Sequence, residues 1–502
     1  MPTSSPPELL AAVDLGSNSF RLELARLEGT RVEPVDRLRE PVRLAGGLTR
    51  DKRLDAESQA RALSALARFG DRLRGLEPRA VRAVGTNALR VARNAREFLA
   101  RAEETLGFPI EVIAGREEAR LIWVGVTELL PPSERVRMVA DIGGGSTEFV
   151  VGNGAGEPQV VESLYMGCVG WTMRFFPDGK LDKAGFRAAE LAARRELQVI
   201  EKAVRKSGWQ EAVGSSGTAR AISQGHVALG LSDGTITAGG IERLRNALIG
   251  AGDISLLEIA GLKSDRLQVL PGGLAIMSAI FRELGIETMT PAAGGLCDGL
   301  IHDQMARFGL AQQHDPREAT VMHFMSRYQV DAAQAQRVEH TALALFASLR
   351  ELAADRYDAL ALALSHAARL HEIGLAIAHN GYHRHSAYIL EFADMPGFTT
   401  MEQGLLGALV LGQTGKLPKV EALFSDRVEW AALLCLRIAV LIHRNRADDA
   451  AVPLDLRHTA KRFVLGAERK WLESSPLTDY ALGCELEEWK KIGVGFEIEV
   501  RE

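Results

Sequence analysis

The chain has little cysteine and no cysteine pair: Cys168, Cys297, Cys435 and Cys484 stand far apart in 502 residues. That spacing excludes a disulfide framework and a zinc knuckle and suits a reducing compartment. Long hydrophobic runs are missing too. The most apolar stretches, near Leu360 and Leu434, are broken by His366 and Arg437, well short of the ~18 uninterrupted apolar residues of a membrane span. Met1–Leu10 has no basic segment leading into an apolar one, so it reads as a frayed tail and not a signal peptide. These absences predict a cytoplasmic protein without a transmembrane segment. A formal net charge of -5 supplies no global basic field for nucleic acid, although a local arginine funnel remains compatible with it. Two nucleotide motifs are also lacking. Gly415-Lys416 runs into Leu417 without the upstream glycine of a Walker A loop, and no GxGxxG follows a strand.

The composition that is present is ordinary for globular proteins, with 46% hydrophobic and 25% charged residues. The length exceeds one core and predicts three or four domains. From Ala11 to Val151 strand and helix patterns alternate. Strands are expected at Ala11–Leu15, Arg21–Leu27, Val81–Val84, Val136–Ile142 and Phe149–Val151, and helices at Ala56–Leu73, Ala95–Leu106 and Glu117–Leu130. Alternation of this kind predicts an α/β sandwich, with a first boundary at Pro131-Pro132-Ser133. Beyond about Arg307 the strand-like runs stop, and helical periodicity continues from Pro316 to about Asn445. From Pro453 apolar and β-branched runs return. The expected segments are 1–131, 132–306, 307–447 and 448–502.

One repeat stands out. Val13-Asp14-Leu15-Gly16-Ser17-Asn18-Ser19-Phe20 recurs as Ala140-Asp141-Ile142-Gly143-Gly144-Gly145-Ser146-Thr147, with Asp, Gly and Ser aligned at an offset of 127. Each copy is an apolar strand, a small-residue turn and a second strand, which predicts two similar lobes. Such a turn aims successive backbone N–H groups at one point and forms an anion nest. Glycine at 143, 144 and 145 lets an anion approach closely. Asp14 and Asp141 end their strands, and their hard oxygens suit Mg²⁺. Either copy alone reads equally well as a plain turn; it is the duplication that favours a site. Gly214-Ser215-Ser216-Gly217, between a short strand and a helix, is a further phosphate pocket candidate, though such loops often only turn the chain. Thr86, Asn87 and Arg90 follow another strand and offer a hydroxyl, an amide and a guanidinium to phosphate oxygens. Glu117 and Glu118 open a helix. Either could be the base that orients water against phosphorus, or merely an exposed first-turn acid facing the helix dipole.

Taken together, Asp14–Arg21, Gly85–Arg90, Arg116–Ile122, Asp141–Glu148 and Gly214–Thr218, followed by His371–Gly374 and His383–Tyr388, resemble the successive blocks of the exopolyphosphatase and guanosine pentaphosphate phosphatase (Ppx/GppA) family. The resemblance spans most of the chain. It implies a two-lobed, actin-like (ribonuclease H-like) phosphotransferase fold, an all-α domain similar to HD-type hydrolases and a small mixed C-terminal domain. It implies that Glu118 is the catalytic glutamate, that Asp141 and Glu148 hold Mg²⁺, and that Asp14, Ser17, Asn18, Ser19, Gly143, Ser146, Ser215, Ser216 and Gly217 surround phosphate. Arg21 and Arg90 become chain-gripping cations. The implied reaction is release of orthophosphate from the end of inorganic polyphosphate by a homodimer, with the 5′ end of guanosine pentaphosphate as second substrate.

Three positions depart from the family pattern. His371-Glu372 stands where a metal-binding HD pair has Asp, and Leu375 rules out HExxH, so the histidines of the helical region are expected in packing or facing solvent. Cys297 occupies a position expected to hold Arg, and Val410–Lys416 lacks a basic stretch. Two rivals differ in kind: an actin-like kinase or ATPase, which needs an adenosine pocket and an acceptor, and a regulatory protein that binds guanosine tetra- or pentaphosphate. A pure binder has no use for a water-activating carboxylate.

Overall fold

The computed structural model describes residues 7–29, 31–131, 133–153, 158–310, 315–447 and 453–502. Its packing divides the chain once, into Met1–Asp315 and Pro316–Glu502.

In the first unit, strands β1 (Leu9–Leu15), β2 (Phe20–Glu28), β3 (Arg31–Glu40), β4 (Val81–Gly85) and β5 (Ile110–Val112) form a sheet in the order β3-β2-β1-β4-β5. Strands β6 (Arg137–Ile142), β7 (Thr147–Gly152), β8 (Val160–Leu164), β9 (Glu211–Ser215), β10 (Ile236–Thr237) and β11 (Thr288–Pro291) form a second, in the order β10-β11-β9-β6-β7-β8. Read inward from β8, the second sheet repeats the first: two antiparallel pairings, then two parallel ones. The short sequence repeat therefore marks two copies of a whole sheet. β3, β5, β8, β10 and β11 were not anticipated from the sequence, whereas β9 is the short strand expected before the Gly214 loop. β3 is a polar edge strand with no buried residue, so it carries no apolar alternation to read. The tail begins to pair earlier than expected: Leu9 and Leu10 already belong to β1, and Leu10 is fully buried. Met1–Pro6 lies outside the described residues.

The first sheet carries α1 (Ala56–Leu73), α2 (Asn87–Val91) and α3 (Ala95–Leu106). α4 (Gly115–Leu129) leads to the second, which carries α5 (Cys168–Phe175), α6 (Lys183–Lys206), α7 (Ser216–Ala228), α8 (Ala238–Ala251), α9 (Ser264–Leu267) and α10 (Leu270–Leu284). α11 (Leu296–Arg307) then returns to pack on α4 and β1. α1 shows why these helices form. Asp55 caps it by accepting from the Ser58 N–H at 2.7 Å, and Ala62, Ala65, Leu66, Phe69 and Leu73 recur at helical spacing on its buried face.

Strand pleating sorts the core into layers. Ala11, Val13 and Leu15 join the cluster with Phe69 and Phe98 of α1 and α3. Leu10 and Ala12 join Ala119, Ile122 and Leu300 of α4 and α11. Val139 of β6 enters that same layer, whereas Met138 and Ala140 pack on the other side of their sheet. Because side chains alternate along a strand, Asp14 and Asp141 follow Ala12 and Val139 onto the faces that share α4 and α11.

The second unit is helical over Pro316–Arg327, Ala332–Ala347, Tyr357–Leu370, Tyr382–Phe392, Thr400–Gly412 and Arg427–Ile442. Strands β12 (Leu454–His458), β13 (Arg462–Glu468) and β14 (Gly495–Arg501) form a sheet whose Phe463 and Leu465 share one core with those helices and with Trp489. Buried Arg437 ties the unit together, pairing with Glu485 at 2.9 Å and donating to the Gly415 carbonyl at 3.0 Å. Buried His371 places Nδ1 2.7 Å from the Ala368 carbonyl. No helix of the described residues is long and apolar enough to cross a membrane.

Candidate active site

The two repeated turns meet face to face. A Cβ placed on Gly144 would stand 2.9 Å from the Asn18 amide nitrogen and 3.0 Å from Ser17 Cβ, closer than side chains pack. One on Gly145 would stand 2.5 Å from Asn87 Oδ1 and 3.0 Å from Ser17 Oγ. Backbone without side chains is thus the only lining that allows the turns to approach. Among the described residues, the Gly144 and Gly145 amides donate to no backbone carbonyl, so they remain available to an anion.

The cleft beside this contact, about 680 Å³ of empty space open to solvent, is lined by Asp14, Ser17, Asn18, Ser19, Arg21, Thr86, Glu118, Asp141, Gly143–Ser146 and Ser215–Gly217. Strand geometry and the helical turn of α4 bring these together. Glu118 and Ile122, one turn apart on α4, both face the cleft, while Glu117 and Arg120 point into the α4–α11 packing. Glu117 is 3% exposed and accepts from Arg120 at 2.7 and 2.8 Å, so it is not the solvent-facing acid that the sequence suggested.

Four expected residues do not line the cleft. Arg90 is turned inward, donating to Glu118 Oε2 at 2.8 Å and to the Ile113 carbonyl at 2.9 Å. Asn87 stands behind Gly145, and Gly214 lies under Met289 and Ala219. Glu148 is 1% exposed beneath the Gly143 turn and accepts from Ser163 Oγ at 2.9 Å.

The third loop is fastened to the second turn. Ser216 adopts a left-handed φ of 78°, a region that disfavours side chains, and its hydroxyl donates to the Ile142 carbonyl at 3.0 Å. Thr218 Oγ1 donates to the same carbonyl at 2.8 Å. Across the cleft, Arg39 donates to Ser19 Oγ at 3.0 Å and pairs with Asp265 at 2.6 Å.

Negative charge is concentrated here. Burial pushes Asp14 up to about 7, with Arg21 opposing and Glu118 and Asp141 adding to the rise. Burial also lifts Asp141 to about 6, against Ser215 and Arg21. Glu148 is raised well above the usual carboxylate range by burial, then by Glu118 and Asp141. Buried Asp14 Oδ1 and Glu148 Oε2 have no hydrogen-bond partner. Such uncompensated oxygens fit a hard divalent cation like Mg²⁺, which takes one or two carboxylates and keeps phosphate and water as its other ligands. No group of three acid, His or Cys side chains among the described residues could hold a metal ion, so the residues fit that mode and not an all-protein cage.

A second groove adjoins the cleft, sharing Arg21, Gly217 and Arg266 with it. Arg220 and Lys263 add cations there, and Glu23 and Asp298 add acids flanking Arg37. Burial and the neighbouring Arg39 and Arg21 lower Arg266 to about 10. Arg266 and Arg39 were not expected from the sequence, and nothing local marks them; Thr218 was expected within its loop, with no role of its own.

Two sheets of one topology, joined by paired anion nests over a shared helix layer, define the actin-like phosphotransferase fold. The family model for the Ppx/GppA phosphatases matches residues 24–308, and that for their domain III matches 317–486; the chain belongs to the Ppx/GppA phosphatase family. An exopolyphosphatase from Cytophaga hutchinsonii is similar in structure at TM-score 0.55 and 24% identity, over 59% of this chain and 97% of that one. An exopolyphosphatase-like protein gives 0.54 and 24%, over 60% and 98%, and the Aquifex aeolicus Ppx/GppA enzyme 0.48 and 24%, over 59% and 99%. At these identities the likeness to the first two speaks for the fold alone.

Proposed function

We propose that this protein hydrolyses the terminal phosphoanhydride of a linear phosphate chain, inorganic polyphosphate first, releasing orthophosphate and a chain one unit shorter. The contact between the Ser17-Asn18 and Gly144-Gly145 turns, with Glu118 lining the same cleft, carries the reading. The Gly144 and Gly145 amides and Ser17 hold the terminal phosphate, and Arg21 faces the next units. Glu118, held by Arg90, orients a water and takes its proton as the water oxygen bonds to phosphorus and the bridging oxygen leaves. Asp141 would hold Mg²⁺, with Glu148 behind it. That ion would neutralise charge on the phosphate oxygens when bound.

One observation favours guanosine pentaphosphate as a second substrate. Polyphosphate offers no hydrogen-bond donor, yet the adjoining groove includes Glu23 and Asp298 as well as arginines, and carboxylates suit the N–H and O–H donors of a nucleoside. The deciding assay measures orthophosphate release from long polyphosphate and from guanosine pentaphosphate, with and without Mg²⁺. Glu118→Gln is expected to lower the rate by about 10²- to 10⁴-fold. Release near the wild-type rate would end the assignment.

A further inference from the structure

The cleft explains Glu118 but not the charges behind it. On the opposite face of α4, Asp303 of α11 has a side chain 1% exposed and receives three guanidinium groups. Arg120 of α4 donates to it at 2.5 Å, Arg307 at 2.9 Å, and Arg82 of β4 closer still. Arg120 also grips Glu117 through two hydrogen bonds, and Arg82 reaches Glu111 of β5 at 3.3 Å. Three arginines and three carboxylates thus form one network centred on buried Asp303 and linking the first sheet, α4 and α11.

Buried ion pairs are weak stabilisers, because desolvation offsets most of their attraction; their better attested use is to impose one arrangement. The arrangement here is the rotation of α4. Helix α4 crosses α11 at backbone contact: a Cβ on Gly299 would stand 1.8 Å from the Leu121 carbonyl oxygen, and one on Gly125 2.1 Å from that of Gly295. This crossing sets the distance between the helices, and the apolar side chains packed around it, Ile122, Val126 and Leu300 among them, make non-directional contacts, whereas the ion pairs are directional. Glu117 and Glu118 are consecutive, about 100° apart on the helix. Fixing Glu117 through Arg120 to Asp303 therefore also fixes the direction in which Glu118 projects.

We infer that Asp303 is a positioning residue for the hydrolytic reaction, acting through Arg120 and Glu117 to aim Glu118 at the attacking water. This rests on Glu118 being the water-activating acid. Asp303 is 3% exposed and does not line the cleft, so its loss should alter turnover and leave chain binding unchanged.

A double-mutant cycle tests it, reading orthophosphate release from long polyphosphate with Mg²⁺ for the full chain, Glu118→Gln, Asp303→Asn and the double variant. Asp303→Asn is expected to lower kcat by about ten- to a hundredfold, with KM within about twofold. In the Glu118→Gln background the same change should do almost nothing, because two residues acting as a unit are not additive. If Asp303→Asn fails to fold, judged by its melting curve, Glu117→Gln replaces it in the same cycle with the same expected pattern. A loss of equal size in both backgrounds, a rise in KM matching the fall in kcat/KM, or no loss of kcat would each overturn the inference. Wild-type release by Glu118→Gln alone would instead overturn the reading of Glu118, and this inference with it.

Discussion

The two turns are copies of one structure that carry different residues. Gly16 corresponds to Gly143, Ser17 to Gly144, Asn18 to Gly145 and Ser19 to Ser146, and each pair closes the same antiparallel hairpin. The first turn presents side chains; the second presents bare backbone into which those side chains fit. The next shared position diverges in charge. Arg21 is paired in register with Asp14, whereas Glu148 is paired with Asp141. One lobe therefore sets a cation beside its aspartate and the other a second acid. Duplication preserved the geometry, and substitution changed the residues at the tip and on the partner strand.

Exchanging the two tips tests whether the side-chain turn and the backbone turn differ in this way. Gly144→Ala pushes a methyl group into Ser17 and the Asn18 amide, forcing the turns apart. A displacement of that order should lower kcat/KM for polyphosphate by about a hundredfold, read from steady-state orthophosphate release. An unimpaired variant would show that the turns do not close on one anion. The reciprocal change, Ser17→Gly, makes the first turn resemble the second. It removes a hydroxyl that accepts from the Ala88 N–H at 3.2 Å and should cost roughly three- to tenfold. Equal effects from the two variants would abolish the proposed asymmetry between side-chain and backbone turns.

The smallest expected effect is on stability. Asp14 is lifted from 3.8 to about 7, so between about pH 4 and pH 7 the native state keeps a proton that the unfolded chain releases. Stability is then lost as pH rises through that window. With a chelator present, the melting temperature should fall from pH 5 to pH 8, and Asp14→Asn should reduce that fall by about 2–4 °C. Identical slopes for the two proteins would mean that Asp14 is not a buried, uncompensated acid.

Much of this was legible because it is local. Helices 56–73 and 95–106 appear at their expected bounds, since each has a complete apolar stripe. The paired turns could be read because both the strand pattern and the small residues survived duplication. Glu118 could be separated from Glu117 only by family resemblance. Both are first-turn acids on one helix, and the choice depends on which face meets the cleft and which meets Asp303. Arg90 was misplaced for a similar reason: its spacing after β4 suits phosphate, yet Glu118, 28 positions away, takes its guanidinium.

Local residue pattern was enough to specify two like strand–turn–strand units, the small residues and aspartates that close them, and the helices beyond Pro316. It took the tertiary structure to bring the two turns into contact, Arg266 to the cleft, Arg39 to the adjoining groove and Asp303 behind the acid. Periodicity records which face of a strand or helix is apolar, because that depends on neighbours two to four residues away. It does not record what covers that face, because the partner is chosen by packing between segments more than a hundred residues apart.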